Sequence, residues 1–174
     1  MIASEHNIQL VLMSHCLEKL NGSVFMPNFH FMWHEADLVY ITKSGYSTEF
    51  EVKISRGDFK ADANKRCGRI WKAEYLQQGK GVNYFYYVVP KGLLNLSDIP
   101  SHAGLIEVDL NEYWSNRISY IKKAPMLHKE KKEWIKNHIY EKAYYRYLDK
   151  ITRPAIRKSD EELYKLKYPE EKNG

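Results

Sequence analysis

The chain has 174 residues, 44% of them hydrophobic and 28% charged, with 27 Lys and Arg against 22 Asp and Glu for a formal net charge of +5. That length suits one globular domain and excludes disordered, collagen-like and disulfide-stapled classes. No apolar run reaches the roughly 18 residues of a membrane span, the N-terminus lacks the pattern of a secretory leader, and two cysteines, Cys16 and Cys67, are expected to be packing thiols in a reducing, cytoplasmic setting.

Ser4 reads as a helix N-cap, with Glu5 in the first turn where the helix dipole favours an acid. Ile8, Val11, Leu12 and Cys16 then recur on one helical face. The triplet "NGS" at Asn21 to Ser23 stops that helix. An extended, aromatic-rich stretch follows, with a clear strand over Leu38 to Thr42. "KSGYS" is a hairpin turn, and "TEFEVKIS" returns as the partner strand. Arg56 to Gln78 contains no proline, and Phe59, Ile70, Trp71, Tyr75 and Leu76 predict a helix there. "VNYFYYVVP" has the continuous apolar character of a strand buried on both faces. A loop with one helical turn, "KGLLNLSDIPSHAG", leads to a further strand, "LIEVDL". The last predicted element is a helix over Met126 to Lys150, and the charged tail after Pro154 is open between a second helix and partial disorder. From Lys129 onward there are 13 Lys and Arg against 9 Asp and Glu, so four of the five surplus positive charges lie there. The order of elements predicts an α/β domain with a mixed central sheet flanked by helices. Its core covers 1–125, and 126–174 forms a basic helical extension.

Glu51 and Lys53 stand out because residues i and i+2 of a strand share a face, while Phe50, Val52 and Ile54 point the other way. A solvated ion pair on an edge strand would account for "EVK" alone. Asp37 changes the reading: pairing through Gly45 brings the start of the first hairpin strand near the end of the second. Two carboxylates and an amine at a sheet end suit a Mg2+ site for phosphodiester hydrolysis, with hard oxygens as ligands and the lysine beside the attacking water. Glu35 is a weaker rival to Asp37, since the two share a face. His30 and His34 are expected in extended chain, too far apart for zinc. Trp71, Tyr75, Tyr84, Phe85 and Tyr87 could stack on bases, although the core is their more ordinary place.

The combination of "EADLVYI", "FEVKISRGDFKAD", a later "AEYL" and "YFYYVVPKGLL…DIPSHAGLIEVD" resembles the PD-(D/E)xK nuclease superfamily, and within it the MmcB-like DNA repair group. The resemblance covers about Glu5 to Asp109. It implies a restriction-endonuclease-like core, a DNA partner, and Mg2+ as cofactor, with Mn2+ able to substitute. Carried over residue by residue, Asp37 and Glu51 would be metal ligands together with the Val52 backbone carbonyl, Lys53 the catalytic lysine, and Glu5 a further helix glutamate at the centre. Ser55, Arg56, Lys60, Lys65 and Lys72 would line the nucleic-acid path. Asp58 reads either as an N-cap or as part of that surround. Ala36 replaces the usual proline, and "KRCGRIWK" is an insertion that leaves Lys65 and Lys72 competing for one family lysine. The implied activity is a deoxyribonuclease, with endonuclease favoured over exonuclease, in a bacterial or phage-infected cell. A homodimer or a protein partner is compatible, and the alternative is a DNA-binding module with little activity of its own.

Overall fold

The computed structural model describes residues 3–18, 24–31 and 33–167, apart from the side chains of 114, 151 and 155–167. The first helix, α1 (Glu5–Glu18), starts at its expected cap: Ser4 Oγ accepts the Asn7 N–H at 3.2 Å. The stop read at Asn21 to Ser23 lies outside the described residues. Strands β1 (Val24–His30), β2 (Glu35–Ile41) and β3 (Ser47–Val52) form an antiparallel meander. The β2–β3 turn forms where "KSGYS" predicts it. Gly45 has φ +89°, in the left-handed region open to glycine, and pairing runs from Ile41↔Ser47 to Leu38↔Phe50.

The helix predicted over Arg56 to Gln78 is broken in two. α2 (Arg56–Asp62) ends early, a small hairpin of β4 (Arg66–Cys67) and β5 (Ile70–Trp71) follows, and α3 (Lys72–Gln77) completes the crossover. The breaker is Gly68, whose φ of +63° makes a two-residue turn with Arg69. β6 (Tyr84–Pro90) then runs parallel to β3, and β7 (Gly104–Val108) parallel to β6. The helical turn expected in the intervening loop is a 3₁₀ turn at Leu96–Asp98. β8 (Ile118–Lys122), antiparallel to β7, has no counterpart among the elements read from sequence.

The result is a six-stranded mixed sheet in the order β1-β2-β3-β6-β7-β8. β6 is central, in keeping with its unbroken apolar run. On one sheet face, Leu38, Tyr40, Phe50, Val52, Val88 and Ile106 pack against the apolar stripe of α1 (Ile8, Val11, Leu12, Cys16). That layer is an ordinary hydrophobic core. The carboxylates of β3, Glu49 and Glu51, are thereby left on the other face.

The last helix, α4 (Glu133–Lys167), starts seven residues later than expected and continues through Pro154. The late start has a clear cause. Asn83, fully buried, donates from Nδ2 to the carbonyls of His128 (3.0 Å) and Glu130 (2.7 Å), and its own carbonyl accepts the Leu127 N–H at 2.9 Å. Those carbonyls are committed to a side chain instead of to a helical ladder. Passage through Pro154 gives up one intrahelical bond to the carbonyl of Lys150. The chain divides into two compact units, Met1–Lys136 and Asn137–Gly174, against the 125/126 boundary read from sequence. No described helix is long and apolar enough to cross a membrane.

Candidate active site

Glu49 and Glu51 alternate along β3, Lys53 follows just past its end, and all three are buried on the side opposite α1. Phe50 and Val52 occupy the core side as expected. Ile54 does not: it is 44% exposed, because β3 ends at Val52 and the chain turns into α2.

Asp37 meets this strand end directly. The β2–β3 ladder stops at Leu38↔Phe50, and the next inward-facing N–H of β3, that of Val52, donates to Asp37 Oδ2 at 2.6 Å. A side-chain carboxylate thus replaces the backbone acceptor that continued pairing with β2, which runs on to Glu35, would supply. The carbonyl of Asp37 is held in turn by Gln9 Nε2 of α1 at 2.6 Å, and the same amide donates to Asn28 Oδ1 at 2.8 Å. Gln9 lies one helical turn after Glu5, so the start of α1 is fixed over Asp37. Burial, then the Glu51 carboxylate and also that of Glu5, push the Asp37 carboxyl up to about 7, against the opposing pull of the Val52 N–H and Lys53. Glu51, Glu5 and Lys53 therefore all act electrostatically on Asp37 at this sheet end.

Glu51 is the hub. Its Oε1 takes Lys53 Nζ at 2.8 Å and also Lys65 Nζ, while Oε2 takes Lys72 Nζ at 2.8 Å. Burial would raise its pKa, yet Lys72, Lys53 and Lys65 together hold it well below the usual carboxylate range. Lys72 Nζ also reaches Glu49 Oε1 at 2.8 Å, and these two carboxylates lift the Lys72 ammonium above its ordinary range despite burial. Asp62 adds a third buried carboxylate: Oδ2 accepts the Tyr87 hydroxyl at 2.7 Å, and Oδ1 lies 3.1 Å from Lys65 Nζ and 3.7 Å from Lys53 Nζ. Charges so far from water persist only because each faces an opposite one.

His34 closes the far side. Its Nε2 is 3.2 Å from both oxygens of Glu49, and its Nδ1 is 3.3 Å from Cys67 Sγ. Burial pulls the imidazole down, but Glu49 outweighs it and raises the pKa to about 9. Cys67 is thus a polar neighbour of His34 as well as a packing thiol.

The remaining expected residues separate into two groups. Ser55 is the N-cap of α2 and accepts the Asp58 N–H at 3.1 Å, so the cap is Ser55 and not Asp58. Arg56 is half exposed, 3.3 Å from Asp98, and Lys60 is exposed. Lys65 is 41% exposed while resting on Glu51. Lys72 departs from expectation. Its side chain is 2% exposed, because the β4–β5 hairpin and α3 fold it over the sheet. That removes it from the set of phosphate-contacting residues. Among the aromatics, Phe85 and Tyr87 are buried, whereas Trp71 is 44% exposed, with Arg66 stacked at 4.4 Å from its ring centre. Sequence reasoning missed Glu49, Asp62, His34 and Cys67. For Glu49 the signal was present: it is the first member of the same i, i+2, i+4 series as Glu51 and Lys53. Among the described residues, no group of three His, Cys, Asp or Glu is placed to hold a metal ion.

No protein-family model matches the chain, and no curated protein matches it. Among solved structures, a protein of unknown function from Silicibacter pomeroyi superposes with a TM-score of 0.63 at 18% identity, over 89% of this chain and 96% of its own. At that identity the likeness is one of fold.

Proposed function

We propose that the chain is a Mg2+-dependent deoxyribonuclease on a restriction-endonuclease-like core of the PD-(D/E)xK type. One observation carries this reading. At the end of the β2–β3 hairpin, Asp37 Oδ2 accepts the Val52 N–H at 2.6 Å, beside Glu51 with Lys53 Nζ at 2.8 Å.

The residues fit the ion. Asp37, Glu51 and the Val52 carbonyl are hard oxygens of the kind Mg2+ takes. The N–H and C=O of one strand residue face the same neighbour, so the Val52 carbonyl opens to the side on which Asp37 lies. The Asp37 carboxyl is raised first by burial and then by the Glu51 and Glu5 carboxylates, and that second part is charge a divalent cation would relieve. Glu51 is already engaged by ammonium groups, so a ligand role requires one of them to leave. Lys65, the half-exposed one, is the natural candidate. Bound there, Mg2+ would supply Lewis acidity and a more acidic water. The chain's own part is to hold that ion through Asp37 and Glu51 and to place Lys53 where it orients the attacking water and offsets charge developing on phosphorus. Glu5, one turn before the Gln9 anchor, supports the same centre from α1. Arg56 and Lys60 are left in solvent to meet phosphate. The reading belongs with DNA repair, recombination or phage DNA metabolism.

The test uses circular single-stranded, circular duplex and branched DNA with Mg2+, Mn2+ or EDTA. Metal-dependent cutting of circles is expected, together with loss of about 100- to 1,000-fold or more in Asp37→Asn, Glu51→Gln and Lys53→Met. Cutting in EDTA, or wild-type rates in any two variants, would overturn the proposal.

A second reading, a DNA-binding module that does not cut, draws support from the three ammonium groups already compensating Glu51. It predicts salt-sensitive DNA retention with no Mg2+ binding by calorimetry.

A further inference from the structure

Within the second compact unit, Asn137–Gly174, α4 carries four large exposed rings close together. Tyr140, Tyr144, Tyr145 and Tyr147 are 52%, 59%, 58% and 61% exposed. From Glu141 to Lys150 every side chain except Leu148 is exposed. A helix in a folded protein draws most of its stability from packing one face, so a stretch this bare calls for something to lie on it.

Charge is concentrated in the same place. Asn137 to Lys158 holds six Lys and Arg against two Asp and Glu, an excess of four where the whole chain has a net charge of +5. Both acids are engaged within the helix: Glu141 lies 3.3 Å from His138 Nδ1, and Asp149 pairs with Arg153. Helical spacing then sorts the rings from the cations. At about 100° per residue, Tyr140, Tyr144 and Tyr147 fall on one stripe, at i, i+4 and i+7. Lys142, Arg146 and Lys150 fall on a second, at i, i+4 and i+8. Ala143 lies between the two, so only a methyl group stands in the track that separates them. Successive members of each stripe are about 4.5–6 Å apart along the axis.

We propose that this stretch of α4 binds single-stranded DNA, with bases stacked on Tyr140, Tyr144 and Tyr147 and phosphates met by Lys142, Arg146 and Lys150. Exposed rings beside a row of cations are what unpaired nucleotides require, since every base has a face to stack and every phosphate a charge to neutralise. The inference rests on the nuclease reading for the choice of DNA, and adds the form of that substrate and a second set of contacts to it. Duplex DNA offers the phosphates but hides the base faces. A second copy of the chain fits less well. An antiparallel pair joined through the tyrosines would bring the two cation rows together, and seams between helices are filled by Leu, Ile and Val. An anionic membrane is met by Trp, Phe or Leu on the apolar side of a helix, where this stripe has tyrosine.

Binding is measured on the full chain in EDTA, so that it is separated from cleavage. The probes are a short mixed-sequence single strand, its duplex, RNA of the same sequence and vesicles of anionic phospholipid, with sedimentation for the oligomeric state. Replacing all three stripe tyrosines by leucine (Tyr140→Leu, Tyr144→Leu, Tyr147→Leu) keeps helix propensity and apolar character. It should weaken single-strand binding by about 10- to 100-fold or more and leave duplex binding nearly unchanged. Phenylalanine at the same positions should retain the binding. Lys142→Gln, Arg146→Gln and Lys150→Gln together should lower the slope of log affinity against log salt by about 2. A leucine variant within about twofold of wild type on the single strand would overturn the inference. So would tighter binding of the matching RNA, or a tyrosine-dependent dimer or vesicle complex without tyrosine-dependent DNA binding. Tyrosine-dependent binding by a protein that cuts nothing would keep the surface and reject the nuclease. Metal-dependent cutting with binding untouched by the variants would do the reverse.

Discussion

Lys72→Met tests the charge network most directly. Lys72 Nζ is 2.8 Å from Glu49 and 2.8 Å from Glu51, its side chain is 2% exposed, and the two carboxylates are 1% and 0% exposed. Lys72 Nζ sits 4.8 Å from the centre of the Phe85 ring, and methionine keeps most of that apolar volume, so the cavity contribution is small and the change is mainly electrostatic. Glu51 retains Lys53 and Lys65, whereas Glu49 retains only His34 among the partners described above. Removing one partner of a buried pair costs about 3–5 kcal/mol, a large part of the roughly 5–15 kcal/mol that holds a domain together. With a urea slope of about 2 kcal/mol per molar, the unfolding midpoint should fall by about 2 M. Lys65→Met, at a half-exposed position, should cost about 1 kcal/mol or less. Glu49→Gln combined with Lys72→Met should recover much of the loss, because the uncompensated carboxylate is then gone. A midpoint shift below about 0.5 M for Lys72→Met would refute the reasoning. So would unchanged stability accompanied by a reduced salt dependence of DNA binding, since that is the signature of a phosphate contact.

His34 sets a pH dependence. Its folded pKa of about 9 lies above the ordinary 6.5, so the folded state holds the proton more tightly. The stabilisation is full below pH 6.5 and is lost as pH rises through 9, on the order of 3 kcal/mol in all. Urea midpoints across that range should fall in wild type and stay flatter in His34→Gln; a flat wild-type profile would contradict the Glu49 pairing. Gly104→Ala should destabilise by about 1–3 kcal/mol, because an added Cβ would run into the Tyr86 ring and lie 2.7 Å from the Ala124 backbone nitrogen. Thermal melting checks it, with a drop of roughly 3–10 °C expected. If Lys60 meets phosphate, Lys60→Ala should lower the slope of log affinity against log salt by about 1, measured by titration at several salt concentrations.

Much of the architecture is legible from local patterns. The Ser4 cap and the 3–4 spacing of Ile8, Val11, Leu12 and Cys16 specify α1. Gly45 between two apolar strands specifies the hairpin, and the unbroken run from Tyr84 marks the central strand. These are decided by backbone preference and periodicity, which act over a few residues. Strand alternation alone put Glu51 and Lys53 on one face, and hairpin length alone brought Asp37 to their end. Residues 56–78 fail the same approach, because one left-handed glycine, Gly68, outweighs a helical pattern around it. β8 escapes notice because it gains its place from pairing with β7.

What only the tertiary structure decided is where the lysines go. Lys65 and Lys72 lie 14 and 21 residues from Glu51 in sequence, and both read as surface cations for DNA. The crossover folds them onto β3 because Glu49, Glu51 and Asp62, driven from water on that sheet face, have to be compensated within hydrogen-bonding reach. The sequence by itself determined that carboxylates and a lysine share one side of a strand, since that follows from the pleat. Which cations answer them depends on which segments cover the face, and desolvation of charge acts only once the fold has closed.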